Sequence, residues 1–322
     1  MFKKIGLLAT SLCIASMAHA AYPDRAITVL VPFAAGGPTD IIARVAAKGL
    51  GQHLQQSIVV ENKPGAGGMI GIELLKRARP DGYTIGVATA STQGVAPNIY
   101  DSLNYDPLKD FNSIGAIVAA PGVMISNREK HPDCRLDTLV KTLQKQPGEL
   151  TFGSAGVGSL SHMTGEQFQA VTQTSMLHIP YQGLAPAMND LYGGQLDAIF
   201  DNVSTSLPHI QSGRVCALAV QSEQRLSSLP DVPTYAELGL DAMNTPTWYG
   251  LLAPANTPDE LIRSLNAALQ AALNDSETKD ALEKLGVQVQ LGSPEDFEQT
   301  QKREIQMWKD IVQNSGFEVI KR

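Results

Sequence analysis

Short apolar runs alternate with segments of helical periodicity along the chain, and this alternation is the main structural signal in the sequence. The first apolar run, 27–33, is rich in β-branched residues, which is typical of a buried strand. A helical pattern follows over 39–54, and strands over 58–61 and 83–89 flank a second helical pattern over 69–77. Alternation of this kind predicts an α/β fold in which a parallel sheet carries helices on both faces.

A second alternating set begins after a long apolar run over 114–126. Only Pro121 and Gly122 break that run, which predicts two strands joined where the chain crosses between domains. The second set has predicted helices over 136–145, 159–171, 185–192 and 205–211, and predicted strands over 150–152, 176–179, 196–200 and 215–220. A strand over 248–253 then predicts the return crossing.

The remainder of the chain is mostly helical. Residues 257–260 form a capping-box pattern with proline at the first helical position, ahead of a helix over 261–273. Residues 293–296 cap a last helix that runs to about residue 314. These helices lack enough strands for a domain of their own, so we expect them to pack on the first domain.

Two similar lobes linked by two crossings predict a hinged pair with a cleft between them. We expect domain I to comprise 21–122 and 245–322, and domain II to comprise 123–244. Ligands in such α/β sheets bind beyond the carboxyl ends of the strands, so the cleft is the expected binding site.

The first 20 residues have the pattern of a secretory signal peptide. A basic start precedes an apolar stretch over 5–15, and 18–20 form a small-x-small cleavage site. We expect cleavage before Ala21 and export of the mature chain. The apolar stretch is too short for a membrane anchor, and the leucine before Cys13 disfavours a lipoprotein.

The overall charge excludes some classes of partner. The 322 residues have a formal net charge of −7, and no run of Lys or Arg occurs. This argues against binding to nucleic acid or to an anionic membrane surface. An anionic ligand would therefore have to be held by local dipoles instead of the overall field.

The cysteines and histidines offer little chemistry. Cys134 and Cys216 permit one intramolecular disulfide, but nothing in the sequence sets their distance, and we slightly favour free buried thiols. The six histidines form no metal-binding pattern, and no Ser-His-Asp order or acid/base pair stands out. We expect no metal, no cofactor and no catalysis, so binding is the favoured activity.

The loop after the first strand is the first candidate for an anion site. Gly36 and Gly37 permit a tight turn, and Thr39 and Asp40 suit the start of a helix. The first N–H groups of such a helix are unpaired and, together with the helix dipole, attract anions. The alternative is a plain turn between strand and helix.

A second loop of this kind spans 153–162, with three glycines and three serines between a strand and a helix. Its amides and hydroxyls can surround a carboxylate or a phosphate. The loop lacks the Walker A lysine, the dinucleotide-binding spacing and the Gly-x-Ser-x-Gly of a nucleophile elbow. The alternative is a glycine-rich turn with helix-capping serines.

Three further positions after strands are candidates, each with a structural alternative. Tyr181 could wall a cleft or pack beneath its loop. Asp201 and Asn202, at the end of a strand, could bond a ligand or cap the helix expected at 205. Ser91 and Thr92 lie in a bare polar loop over 90–94, where they could donate to an anion or be ordinary turn residues.

Eight ordered motifs carry a family resemblance over the whole mature chain. They lie at 32–40, 61–68, 80–84, 153–162, 180–183, 200–202, 229–234 and 248–254. On these motifs the chain resembles the substrate-binding proteins of tripartite tricarboxylate transporters, the Bug family. The segment 88–92 departs from the usual pattern, and Cys216 stands where basic residues are common.

The resemblance implies a monomeric periplasmic binding protein of the type II, Venus-flytrap architecture, which is not an enzyme. It implies capture of a dicarboxylate, tricarboxylate, acidic amino acid or aromatic acid, and delivery to a permease of a large and a small membrane subunit. The family holds one carboxylate with the two loops, often through waters. The candidate ligand-binding residues are Phe33, Ala35, Gly36, Gly37, Thr39, Thr89, Ser91, Thr92, Ser154, Ala155, Gly158, Ser159, His162, Tyr181, Gly183 and Asp201.

Two other functional classes stay open at this point. One is a sensory subunit that presents its ligand to a membrane receptor, which a receptor pull-down with and without ligand would detect. The other is an exported enzyme on the same fold, which would turn over the bound acid.

Overall fold

The computed structural model describes residues 22–244, 247–315 and 317–321. The predicted signal peptide and Ala21 lie outside the described residues. Within those ranges, no helix combines the length and apolar character needed to cross a bilayer.

The first sheet has six strands in the order β11-β4-β10-β3-β1-β2. Its strands are β1 (Ile27–Val31), β2 (Ile58–Asn62), β3 (Thr84–Thr89), β4 (Phe111–Ala120), β10 (Thr247–Pro254) and β11 (Gln288–Val289). β1 pairs in parallel with β2 and β3, because helical crossovers return the chain to the same end of the sheet. β10 then pairs antiparallel with both β3 and β4.

The second sheet has five strands in the order β7-β6-β8-β5-β9. Its strands are β5 (Gly122–Asn127), β6 (Thr151–Ser154), β7 (Leu177–Pro180), β8 (Ala198–Asn202) and β9 (Val215–Gln221). β6 pairs in parallel with β7 and β8, whereas β5 pairs antiparallel with β8 and β9. The predicted parallel sheets are therefore wrong in this respect: both sheets are mixed, because each takes a crossing strand in the opposite direction.

The two predicted crossings are confirmed. β4 ends one residue before Pro121 and β5 begins one residue after it, in the other sheet. The return strand β10 rejoins the first sheet. This is the two-lobed α/β architecture that the sequence predicts, although the domain boundaries at 122 and 245 remain our proposal.

Helices cover the faces of both sheets. They are α1 (Pro38–Leu54), α2 (Met69–Lys76), α3 (Ala96–Ile99), α4 (Leu136–Lys145), α5 (Leu160–Thr172), α6 (Leu184–Tyr192), α7 (Val203–Gln211), α8 (Asp259–Asn274), α9 (Ser276–Lys284) and α10 (Pro294–Ser315). As expected, the C-terminal helices pack on the first lobe: α8 contacts α1 and β4, and α10 contacts β4. The prediction did not include α9 or β11.

The two predicted capping boxes have different outcomes. Ser293 and Asp296 cap each other reciprocally ahead of α10, as predicted. The capping box predicted before α8 does not form, because Pro258 is the N-cap of α8 and the Thr257 hydroxyl donates to the Pro254 carbonyl instead. The predicted bare loop over 90–94 is also wrong: Ser91–Val95 form a π-helical turn.

Each lobe has its own apolar core, and a disulfide crosses the second. Alternate residues of β1, including Val29 and Val31, pack with α1 and α8 in the first lobe. In the second lobe, Cys134 bonds to Cys216 on β9, 82 residues later in the chain. Our preference for free thiols is therefore wrong: β9 lies at the edge of its sheet, next to the segment that carries Cys134, and this brings the sulfurs together.

Candidate functional site

A cavity lies between the lobes where the parallel strands of both sheets end. It has a volume of about 50 Å³. Since about 10–15 Å³ admits one water molecule, this space holds a few waters or one compact organic molecule. The lining residues are Phe33, Gly37, Pro38, Thr39, Thr89, Ala90, Ser91, Gly122, Ala155, Ser159, Leu160, Ser161, Thr164, Leu184, Phe200, Asp201, Asn202, Gln221, Thr247 and Tyr249.

The first loop presents an uncapped helix N-terminus to this cavity. Gly37 is the N-cap of α1 and makes no side-chain cap hydrogen bond, and Pro38 occupies the first helical turn. The early amides of α1 therefore lack the side-chain acceptor that usually satisfies them. Thr39, which is buried in the same turn, adds a hydroxyl. The result is a set of donors with a helix dipole behind them.

A hydrogen-bond and ion-pair network centred on the buried Asp40 supports the first loop from behind. The Asp40 carboxylate accepts from the Gly36 amide (2.9 Å), from the Arg44 guanidinium (3.0 Å) and from the Asn62 amide group (2.9 Å). Asn62 also donates to the carbonyl of Phe33 at 2.9 Å. Although burial acts to raise the pKa of Asp40, these hydrogen bonds lower it overall. Asp40 therefore stays ionised and fixes both ends of the loop.

The second loop satisfies its own amides. Ser159 is the N-cap of α5, and its Oγ accepts from the His162 amide at 3.3 Å. The Ser161 Oγ accepts from the Ala155 amide at 2.9 Å, and the two serine hydroxyls lie 3.1 Å apart. This loop therefore meets the cavity mainly with hydroxyl groups, which can donate or accept.

Direct hydrogen bonds join the two lobes around the cavity. The Leu160 amide at the start of α5 donates to the Ser91 Oγ in the other lobe at 2.9 Å. The Tyr100 hydroxyl donates to the Val157 carbonyl at 3.0 Å, and the Ala34 amide donates to the carbonyl of Gln182 at 3.3 Å. These bonds exist only while the lobes touch, so the structure is a closed form.

Glycines permit this close approach. A Cβ on Gly67 would lie 2.7 Å from the Val157 carbonyl oxygen, and one on Gly158 would lie 2.3 Å from the Tyr100 hydroxyl. Both glycines also have positive φ angles, +63° and +76°. The backbones of the two lobes therefore meet at distances that a side chain would prevent.

Among the described residues that line the cavity, Asp201 and the Tyr249 phenol are the ionisable groups. Its Oδ2 accepts from the Ser206 hydroxyl at 2.6 Å and from the Thr205 hydroxyl at 2.8 Å. Burial raises the pKa of Asp201 despite these bonds. Burial likewise raises the pKa of Tyr249, so its phenol is neutral.

The structure places the 16 candidate residues in two groups. The cavity is lined by Phe33, Gly37, Thr39, Thr89, Ser91, Ala155, Ser159 and Asp201. The others lie outside its lining: Ala35, Gly36, Thr92, Ser154, Gly158, His162, Tyr181 and Gly183. Which of these residues touch a ligand stays a prediction.

Several candidates that lie outside the cavity lining make hydrogen bonds or ring contacts with other residues of the protein instead. The Ser154 Oγ lies 2.6 Å from the His178 Nε2, and the His178 ring stacks on His162 with centroids 3.9 Å apart. The His162 Nδ1 accepts from the Gly158 amide at 3.2 Å. The Tyr181 hydroxyl donates to Asp190 at 2.6 Å.

His178 is neutral at pH 7, because its pKa is low. Burial lowers its pKa to about 4, and the nearby His162 acts in the same direction. A neutral His178 supports the second loop through Ser154.

Several lining residues were absent from the sequence-based prediction. Thr247 and Tyr249 lie on the antiparallel strand β10, whose start faces the same edge as the ends of β1 and β3. Gly122 likewise starts an antiparallel strand, β5, and it pairs with Gln221 at the end of β9. Strand direction was the missing information, because the sequence pattern does not distinguish a parallel from an antiparallel strand here. Ser161, in contrast, lay within a predicted loop and could have been included.

Known proteins match this chain along most of its length. Residues 42–317 match the tripartite tricarboxylate transporter family receptor profile. Protein BugT of Bordetella pertussis is 34% identical over 310 residues, covering 96% of this chain and 95% of BugT. A UPF0065 protein encoded in the TAR-I ttuE-ttuC' intergenic region of Agrobacterium vitis is 35% identical over 323 residues, covering 98% and 91% of the two chains.

Solved structures agree with these sequence matches. Periplasmic binding protein BugD superposes with a TM-score of 0.89 at 36% identity, covering 94% of this chain and all of BugD. MatC from Rhodopseudomonas palustris, solved with malate, has a TM-score of 0.87 at 32% identity over 90% of this chain and all of MatC. A second R. palustris protein, solved with adipate, has a TM-score of 0.88 at 30% identity, covering 94% of this chain and all of its own.

Proposed function

The chain belongs to the tripartite tricarboxylate transporter receptor family, and from this premise we propose that it captures a small organic carboxylate in the interdomain cleft and delivers it to a tripartite permease. MatC was solved with malate and a second relative with adipate, which supports a carboxylate as ligand here. The permease, a monomeric state and residence in the periplasm after signal cleavage are part of the same proposal. The role is binding without turnover.

The observation that carries this proposal is the meeting of two different donor sets at one cavity. The uncapped start of α1 supplies amides and the Thr39 hydroxyl, and the second loop supplies the hydroxyls of Ser159 and Ser161. Among the residues that the structure describes, no Lys, Arg or His lines the cavity. Dipoles and hydroxyls can bind an anion without leaving an unpaired buried cation when the cleft is empty.

Closure of the lobes completes the site. Ser91 lines the cavity and also accepts the bond that joins α5 to the other lobe. Bending at the two crossing segments would separate the loops, expose the cavity and admit the ligand. A ligand that contacts both loops stabilises the closed form, because it binds that form better than the open one.

A thermal-shift screen of the purified exported protein against a carboxylate panel tests this function. A cognate acid at about 100 times its Kd adds roughly 2.7 kcal/mol of stability, which raises the melting temperature by several degrees. Calorimetry should then give a stoichiometry of one, and the methyl ester of the same acid should not bind. If no carboxylate raises the melting temperature, or if the ester binds equally well, the proposal is wrong.

A further inference from the structure

At the hinge, the wall of the cavity is formed by three residues that lie side by side on neighbouring strands. Gly122, at the start of β5, pairs with Asn202 at the end of β8 and with Gln221 at the end of β9. All three residues line the cavity. The middle residue has no side chain, so the wall at this point depends on the side chains beside it.

The Gln221 side chain fills the space over Gly122. A Cβ on Gly122 would overlap with the Gln221 Oε1, so the amide group lies directly against the glycine backbone. The Gln221 Nε2 donates to the carbonyl of Met243 at 2.9 Å, which holds the amide group in this position. Gly122 and Gln221 together therefore close the wall.

A larger pocket adjoins Gln221 at the crossing between the lobes, where Pro121 and Asn244 contribute to its lining. This outer pocket has a volume of about 600 Å³, compared with about 50 Å³ for the cavity. Among the residues that the structure describes, Gln221 alone lines both spaces. A side chain that contacts both spaces lies between them, so Gln221 is the partition.

The outer pocket can accept the distal part of an elongated molecule. Its lining combines apolar side chains, such as Pro121 and Leu226, with polar ones, such as Ser222 and Gln288. A methylene chain that ends in a polar group matches this mixture, because the apolar surface buries the chain and hydroxyl or amide groups bond its end.

On the premise of the proposed function, we propose that Gln221 determines the maximum length of the acid that the protein binds. An acid whose carboxylate contacts the two loops extends toward the hinge wall, where the Gln221 amide group stops it. A compact acid fits in front of this wall, whereas a longer one needs the space that Gln221 occupies. Removal of this side chain joins the cavity to the outer pocket. Gln221 thus acts on specificity by excluding volume instead of by binding the carboxylate.

A series of linear dicarboxylates tests the inference in the wild-type protein and in Gln221→Ala. Calorimetric titrations measure the affinities for succinate, glutarate, adipate and suberate, which differ in the number of methylene groups. We expect the wild type to bind suberate more weakly than succinate. In Gln221→Ala, the ratio of the suberate affinity to the succinate affinity should rise at least about tenfold, because burial of each additional methylene group contributes about fourfold in affinity.

Gln290→Ala is the matched control. Gln290 is also a half-buried glutamine, but it lines neither the cavity nor the outer pocket. The affinity ratio in this variant should equal that of the wild type. If Gln221 only stabilises the hinge through Met243, Gln221→Ala changes the affinities for all four acids by the same factor, and this unchanged ratio would overturn the inference.

The wild-type titrations test the length limit without any variant. Suberate binding as tight as succinate binding would overturn it. If none of the four acids binds either protein, the inference fails, whereas another carboxylate that raises the melting temperature in the thermal-shift screen leaves the proposed function intact. If no carboxylate raises it, the proposed function fails as well.

Discussion

The two loops that face the cavity look alike in sequence and differ in structure. Both are glycine-rich and both join a strand to a helix. The first leaves the start of α1 uncapped, and a network centred on Asp40 supports it from behind. In the second, the Ser159 hydroxyl caps the start of α5, and the Ser161 hydroxyl accepts from the Ala155 amide within the loop.

This difference suggests a division of labour at the site. The first loop offers backbone amides, which only donate, so it favours an anion. The second offers hydroxyls, which donate or accept and can adapt to different ligands. Different side chains also support the two loops. The ionised carboxylate of Asp40 supports the first loop, and the neutral imidazole of His178 supports the second.

The largest effect should come from a substitution at the point where the lobes touch. Gly67→Ala places a Cβ 2.7 Å from the Val157 carbonyl oxygen, and so opposes the approach of the second loop to the turn at 66–68 in the first lobe. A protein that closes less often binds more weakly in proportion, and we expect the affinity for the cognate acid to fall roughly tenfold or more. Calorimetric titration measures this change.

Gly239→Ala is the matched control, because Gly239 has a similar φ of +75° and nothing within 4 Å of the added Cβ. Both variants should lose a similar amount of stability from the strained backbone. Only Gly67→Ala should lose affinity. Wild-type affinity in Gly67→Ala would show that the loops need not approach this closely.

A smaller effect is expected on the pH dependence of the free energy of unfolding, because the pKa of His178, which supports the second loop, is lowered in the folded protein. The pKa of His178 is lowered to about 4 in the folded protein, below its ordinary value of 6.5. The unfolded chain therefore binds the proton first, and this contribution to stability, complete above about pH 6.5, is lost as the pH falls toward 4. His178→Phe keeps a stacking ring that cannot be protonated.

Chemical denaturation at pH 7 and pH 5 checks this prediction. The free energy of unfolding of the wild-type protein should fall more between these pH values than that of His178→Phe, by about 1 kcal/mol. His53→Gln, at an exposed position, serves as the control and should behave like the wild type. Equal pH slopes in the wild type and His178→Phe would contradict the assignment of His178 as the half-buried support of the second loop.

Much of the fold followed from local patterns, because strands, helices and the break at Pro121 depend on neighbouring residues. The cavity, in contrast, depends on contacts between residues that lie far apart in the sequence. Asn62 reaches Asp40 from another strand, and Tyr249 enters from an antiparallel strand far along the chain. The disulfide likewise depends on a contact over 82 residues. Sequence patterns carry little information on such long-range geometry. They placed Asp201 at the end of a strand, but they did not predict that its Oδ1 would be buried without a hydrogen-bond partner.

The central claim is that both loops bind one carboxylate group, and a double-mutant cycle tests it most directly. The affinities of the wild type, Thr39→Ala, Ser159→Ala and the double variant for the cognate acid are measured by calorimetry. Asp275→Ala is the control, since Asp275 caps α9, and α9 contributes no residue to the cavity lining. Each single variant should bind several-fold more weakly, and the double variant should depart from additivity by at least about twofold, because both residues contact the same group. Unchanged affinity in either single variant, or strictly additive losses, would contradict the account.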